Sequence, residues 1–264
     1  MRPKTSLSTL DLDIYSPSGK VVTGDYSPDH KHQHGLFFAW TKTDIEGREP
    51  EFWNQKLEKG RISFSRAKDQ DDVVESPDKV SFTVEHLWED LAGDGSPRPL
   101  IDETWKVTAY DAGEDRFVFD IEAVQLVRGQ SPLTIQKYHY GGMAIRGTTQ
   151  WMPPAKGTDP VGTIITSQGM GRVEGNHSRP HWVGMHGPID EGHAGFAVIS
   201  DSRNFRAPQW VRVHPLMPYF VFSPMVEEPF QIEGGMPYFS RFRYVIFDGE
   251  PDAEMISREA DLKR

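Results

Sequence analysis

The sequence predicts an all-β protein, a large antiparallel sandwich of two sheets with one or two short helices. Three observations point there. Runs rich in β-branched and aromatic residues, many of them alternating, recur along the chain. Turn residues separate them, with 24 glycines and 20 prolines in 264 residues. Only two segments carry helix signals, too few to build a core.

The first apolar run is Leu36-Phe37-Phe38-Ala39-Trp40. Pro50 to Lys59 then reads as a short helix. Gly60 to Ser65 and Val80 to Trp88 have strand character, and the turn Leu91 to Pro97 sends the chain back. Glu103 to Tyr110 and Arg116 to Val127, joined by Asp111-Ala112-Gly113-Glu114-Asp115, form a predicted hairpin. Strand patterns continue at Leu133–Tyr140, Gly162–Thr166, His181–Met185, Gly195–Ser200, Gln209–Val213 and Phe239–Phe247. Pro251 to Lys263 closes the chain as a helix, with an early proline and acidic residues in its first turn. No repeat or clean linker interrupts this rhythm, because the polar, proline-rich Gln150 to Thr158 is followed at once by more strand pattern. One domain over 1–264 is the expectation.

Composition excludes several function classes. The net charge is −10, from 29 basic and 39 acidic residues, and the basic ones are scattered, so nucleic acid is not an expected partner. Apolar runs stay far below the roughly 20 residues that cross a bilayer, which predicts a soluble protein without a membrane partner. The first ten residues have basic groups but lack the apolar stretch of about 7–15 residues of a secretory signal, so a cytoplasmic location is expected. With no cysteine, disulfides, thiolate nucleophiles and thiolate-held zinc are all absent, and any metal must take N and O ligands. The glycine-rich nucleotide loops, the Gly-x-Ser-x-Gly elbow and the His-Glu-x-x-His helix are also missing.

The most informative stretch is Asp29-His30-Lys31-His32-Gln33-His34-Gly35, where three of the ten histidines alternate. In an extended segment His30, His32 and His34 share a face, with neighbours roughly 6.6 Å apart and the outer pair about 13 Å apart. That face is a metal site needing a further ligand, a set of acid–base imidazoles, or a polar rim, and the spacing alone does not choose. A divalent metal is therefore the one cofactor left open. A second imidazole-rich region holds His177, His181, His186 and His193, read as a glycine-rich loop in which His181-Trp182 is the favoured pair. His139 stands between two tyrosines before Gly141-Gly142. In Asp201-Ser202-Arg203-Asn204-Phe205-Arg206, planar donor forks suit sugar hydroxyls or carboxylates, and a local Asp–Arg pair in a charged turn is the plainer alternative. Glu103 at a strand start is a candidate base. Trp40, Trp53, Trp105, Trp182 and Trp210 lie near polar clusters, as sugar platforms or as core.

Four segments carry a family resemblance: Asp29 to Trp40, Tyr140-Gly141-Gly142-Met143-Ala144-Ile145-Arg146, Gly195 to Asn204, and Phe242-Arg243-Tyr244-Val245-Ile246-Phe247-Asp248-Gly249. Together they resemble the PmoA-like family of bacterial proteins of unknown function, over nearly the whole chain. That family's methane oxygenase label belongs to a membrane-bound copper enzyme rich in transmembrane helices, which this sequence lacks. The resemblance implies a galactose-mutarotase-like supersandwich, in which histidines and a carboxylate on the concave face bind a sugar and move protons. The family motifs fall on His30, His32, His34 and Gly35, on Tyr140, Gly141, Gly142 and Arg146, and on Asp201 and Asn204. Lys31 and Gln33 depart from the His-Pro-His-His that the family often has.

The combined expectation is a protein acting on a small carbohydrate ligand by acid–base chemistry, of the epimerase, mutarotase, lyase or hydrolase type. Its proton-transfer groups are His34 with His139 or His181, with Glu103 or Asp201 as the carboxylate. Arg146, Arg203 and Asn204 bind hydroxyls, and Trp40 or Trp182 is the platform. A metal on His30, His32 and His34, or a non-catalytic sugar-binding module, are the alternatives.

Overall fold

The computed structural model describes residues 8–10, 13–67, 73–93 and 96–261. Its first strands are β1 (Ser8–Leu10), β2 (Leu36–Ala39), β3 (Thr43–Asp44), β4 (Gly60–Ala67), β5 (Val74–Ser76) and β6 (Lys79–Asp90). Next come β7 (Arg98–Tyr110), β8 (Arg116–Val127), β9 (Leu133–Ile135), β10 (Gly142–Arg146), β11 (Thr163–Thr166) and β12 (Trp182–Ile189). The last are β13 (Gly192–Ser200), β14 (Val211–Val213), β15 (Tyr219–Phe222), β16 (Phe230–Ile232) and β17 (Pro237–Asp248), followed by helix α1 (Ala253–Asp261).

These form an antiparallel five-stranded sheet in the order β1-β2-β10-β15-β14 and a nine-stranded sheet, β11-β12-β13-β17-β8-β7-β6-β4, with β5 on β6. A small antiparallel sheet, β16-β9-β3, is the third. The expected all-β antiparallel sandwich is what forms. Rings from the two large sheets meet in the core: Phe38 lies 6.4 Å from Trp88, Phe196 6.2 Å from Phe220, and Phe222 5.2 Å from Phe242. Trp40, Trp88, Trp105 and Trp151 are all fully buried, and at roughly 25 cal/mol per Å² of apolar area removed from water such rings dominate the core's stabilisation.

The run Gly195–Ser200 is continuous rather than alternating because its strand is covered on both sides. On one side is the main core, on the other Val118, Trp182, Ala197, Ile199, Val245 and Phe247 meet Ile256 of α1. Asp252 caps α1, its Oδ1 accepting from the amides of Glu254 (2.9 Å) and Met255 (3.0 Å).

Two local expectations are corrected. Instead of a helix over Pro50–Lys59 there is a single 3-10 turn, Gln55–Leu57. The buried Glu51 carboxylate accepts from the amides of Trp53 and Asn54, both at 3.0 Å, and from Lys42 N at 3.1 Å, so these donors are satisfied without helical bonds. The second histidine region is not a simple loop, since His186 lies on β12 and His193 on β13, paired as a hairpin. The ends of two other expected elements, Asp94-Gly95 in the turn and residues 262–263 of the helix, lie outside the described residues, as does most of the N-terminal segment.

Candidate functional site

The segment Asp29–Gly35 folds as a turn, with His30 N donating to Ser27 O (3.0 Å) and Gln33 N to His30 O (2.9 Å). The expected common face of three imidazoles is therefore not formed, since alternation holds only in extended backbone. His30 and His32 stay together, ring centres 5.5 Å apart. His34 turns away, its Nδ1 lying 2.5 Å from Asp25 Oδ1 and its ring packing on Tyr26. Nor do His30, His32 and His34 bring their ligand atoms within 4.8 Å of one another. Beneath the turn, fully buried Arg146 donates to Gln33 Oε1 (3.0 Å) and to both Asp29 oxygens (2.9 and 3.0 Å).

Above this floor lies a cleft of about 500 Å³. His30, Asp29, Tyr219 and His214 come from one end of the five-stranded sheet, where β2 begins, β15 begins and β14 has just ended. His139 and Tyr140 come from the other end, where β10 begins, and Trp53, Asn54 and Lys56 form the wall. Glu51 fixes that wall by the bonds described above, plus one from Asn54 Nδ2 (3.2 Å). Gly141 and Gly142 are required for the entry into β10. Both have positive φ (135° and 125°), and a Cβ on Gly142 would sit 2.2 Å from Phe222 O.

The cleft holds four imidazoles in distinct states. His30 Nδ1 meets Asp29 Oδ2 at 2.7 Å, so the carboxylate accepts from the Nδ1–H, and in the neutral ring Nε2 is the acceptor. His214 is the reverse. Its Nδ1 accepts from the amides of Leu216 (3.1 Å) and Met217 (2.8 Å), so its proton is on Nε2 as a donor. The two ring centres are 6.4 Å apart. Burial first, then neighbouring positive groups, push His32 and His214 down to about 4, so both are neutral near pH 7. His139 is lowered as well, by burial and by Arg212. Burial alone would raise Asp29, but His30 and Arg146 hold it below the usual carboxylate range. The Tyr140 phenol is pushed up by burial and stays protonated, 3.3 Å from Asn54 Oδ1. His32 Nε2 and Arg212 Nε are buried without a hydrogen-bond partner in the protein. Such orphan atoms mark a place where a polar ligand gains bonds.

The other expected site residues lie elsewhere. Trp40 and Glu103 are interior: Trp40 Nε1 donates to Gln125 Oε1 (2.7 Å), Gln125 Nε2 to Glu103 Oε1 (2.7 Å), and Trp88 Nε1 to Glu103 Oε2 (3.0 Å). Glu103 is thus a buried acceptor 1% exposed, and Trp40 a core ring 0% exposed. His181, Trp182, Asp201 and Arg203 line a second cavity of about 860 Å³, formed between the nine-stranded sheet and α1. There the ionic groups satisfy one another. Asp201 pairs with Arg203 (2.8 Å), and Asp120 accepts from Arg241 and from Arg243 (2.8 and 3.0 Å). Asn204 is buried and props this region, donating to Ser200 Oγ and accepting from Arg241 N at 2.7 Å. Of the residues singled out by sequence, His30, His32, Trp53, His139, Tyr140 and Arg146 come together. Asp29, Lys56, Arg212, His214 and Tyr219 were missed. Only the strand-end histidine in Val213-His214-Pro215 left a signal.

No curated protein matches the sequence. Among solved structures, similarity is found to the heparan sulfate lyase HepC from Pedobacter heparinus, 8% identical with a TM-score of 0.33, and to a HepC mutant, 7% identical with the same score. In each case 80% of this chain and 24% of the other is covered, so the chain spans about a quarter of the length of those lyase chains. The family model described as a family of unknown function, DUF6807, matches residues 13–261, nearly the full length, and the chain therefore belongs to that family.

Proposed function

We propose that the cleft binds an acidic carbohydrate and transfers protons at its ring. The observation that carries this reading is one imidazole held as a proton acceptor, His30, facing one held as a donor, His214, with ring centres 6.4 Å apart. Aromatic walls from Trp53, Tyr140 and Tyr219 alternate with planar polar groups, the mixture that suits a ring bearing hydroxyls. Lys56 and Arg212 add positive charge, while Asp29, the one carboxylate among the described lining residues, is engaged by Arg146 and His30. The cleft thus favours an anion.

On a uronic acid, His30 Nε2 takes the proton from the carbon beside the carboxylate. Arg212 and Lys56 then stabilise the charge that develops on the carboxylate oxygens. A double bond forms as the glycosidic oxygen departs, taking a proton from the Tyr140 phenol, while neutral His214 offers its Nε2–H as a hydrogen-bond donor. Return of a proton to the opposite face, without departure, gives epimerisation instead.

The test is a screen of uronate-containing oligosaccharides for the ultraviolet absorbance of an unsaturated product and for epimerised sugar. Turnover by the wild type, reduced about 10²–10⁴-fold in His30→Asn, is the expected result. Activity within a few-fold of wild type in that variant removes His30 from the chemistry. Sugar binding without turnover in any substrate would assign the cleft to a binding module.

A further inference from the structure

A second group of titratable side chains stands apart from the cleft residues. His186 on β12 and His193 on β13 project from one face of the hairpin, because His186 is opposite Gly195 and His193 is opposite Pro188. Gly195 makes the room, since a Cβ there would lie 2.6 Å from His186 Cβ. After β17 ends beside Ala194, Gly249 turns with φ +78° and its amide bonds to His193 O (2.8 Å), which brings Glu250 back over the two rings. His186 Nδ1 lies 2.9 Å from His193 Nε2 and 3.1 Å from Glu250 Oε2, and His193 Nε2 lies 3.5 Å from Glu250 Oε1.

We infer that His186, His193 and Glu250 form a binding site for a divalent transition-metal ion. The geometry carries it. Bonds of about 2.0–2.1 Å to a tetrahedral ion put neighbouring ligand atoms about 3.3 Å apart; the two imidazole nitrogens lie 2.9 Å apart, and each has a Glu250 oxygen near that spacing, Oε2 at 3.1 Å from His186 and Oε1 at 3.5 Å from His193. Among the described residues this is the one group of three histidine or acidic side chains whose ligand atoms all lie within 4.8 Å. Two imidazoles and one carboxylate select a borderline ion such as Zn²⁺ over Mg²⁺ or Ca²⁺, which prefer all-oxygen shells. His186 is 8% exposed while Glu250 is exposed, so the ion has a fixed inner ligand and an open solvent side, with the fourth position left to water or a ligand. The site ties the β12–β13 hairpin to the turn between β17 and α1.

The test uses the full chain stripped with chelator and titrated with Zn²⁺ by calorimetry, and with Co²⁺ by visible absorption. One ion per chain, a tetrahedral Co²⁺ spectrum and a raised melting temperature are expected. His193→Gln, at a partly exposed position, and Glu250→Gln, at an exposed one, should each weaken Zn²⁺ binding at least tenfold while the far-ultraviolet circular dichroism stays unchanged. His30→Gln should leave it intact. Absence of binding to the wild type overturns the assignment. So does an affinity unaffected by His193→Gln, or one lost instead in His30→Gln, which would place the ion in the cleft. None of these outcomes depends on the cleft's activity.

Discussion

Lowering the pH should destabilise this protein through His32 and His214 before its carboxylates titrate. Both rings are brought from the ordinary 6.5 to about 4, by burial first and then by neighbouring positive groups. Between those two values the unfolded chain binds a proton on each ring that the folded chain refuses. Stability from these groups is therefore complete above about pH 6.5 and is lost as the pH falls toward about 4. At about 1.4 kcal/mol per pKa unit each ring would contribute about 3 kcal/mol if fully enclosed. Both face an open cleft, and solvent screening reduces this to about 1.5 kcal/mol each, or about 3 kcal/mol for the pair. The assay is urea unfolding of the wild type and of a His32→Gln/His214→Gln double variant at several values between about pH 7 and about pH 4.5. The variant should start less stable but lose about 3 kcal/mol less over that range. Parallel stability curves would refute the reasoning, because they would mean that neither ring is kept neutral by its surroundings.

Three other perturbations test the supports of the site. Arg146→Met should cost about 3–5 kcal/mol in urea unfolding, since it strands the partners Gln33 Oε1 and Asp29 beneath the cleft. Gly142→Ala should lower stability by about 3 kcal/mol or more, measured as a fall in melting temperature, because the added Cβ meets Phe222 O in a backbone region closed to alanine. Glu103→Ala should cost about 3 kcal/mol by leaving the Trp88 and Gln125 donors unpaired, yet leave ligand affinity in the cleft unchanged. Lost turnover at full stability in that variant would return Glu103 to a chemical role.

The strands were legible because their signals are local. Glu103–Tyr110 and Arg116–Val127 pair as expected, with Tyr110 opposite Val118, since period-two burial and a glycine-bearing turn are written in neighbouring residues. The helix signal at Pro50–Lys59 misled because it ignores Glu51, whose side chain competes for the same amides. Histidine spacing identified His30 and His32 but not the turn that separates them from His34.

By itself the sequence determined the fold class, the N and O character of any metal ligand, and the stretch around His30 from which the site is built. Only the tertiary structure decided which side chains face each other. Glu103 and Asp201 both look like accessible carboxylates in one dimension, but one is enclosed by Trp88 and Gln125 and the other is neutralised by Arg203. His214 lies 184 residues from His30 in sequence, yet its ring centre comes within 6.4 Å of it because β14, β15, β10 and β2 align their ends in one sheet. Proton donor and acceptor roles follow from such long-range bonds, and no local pattern encodes them.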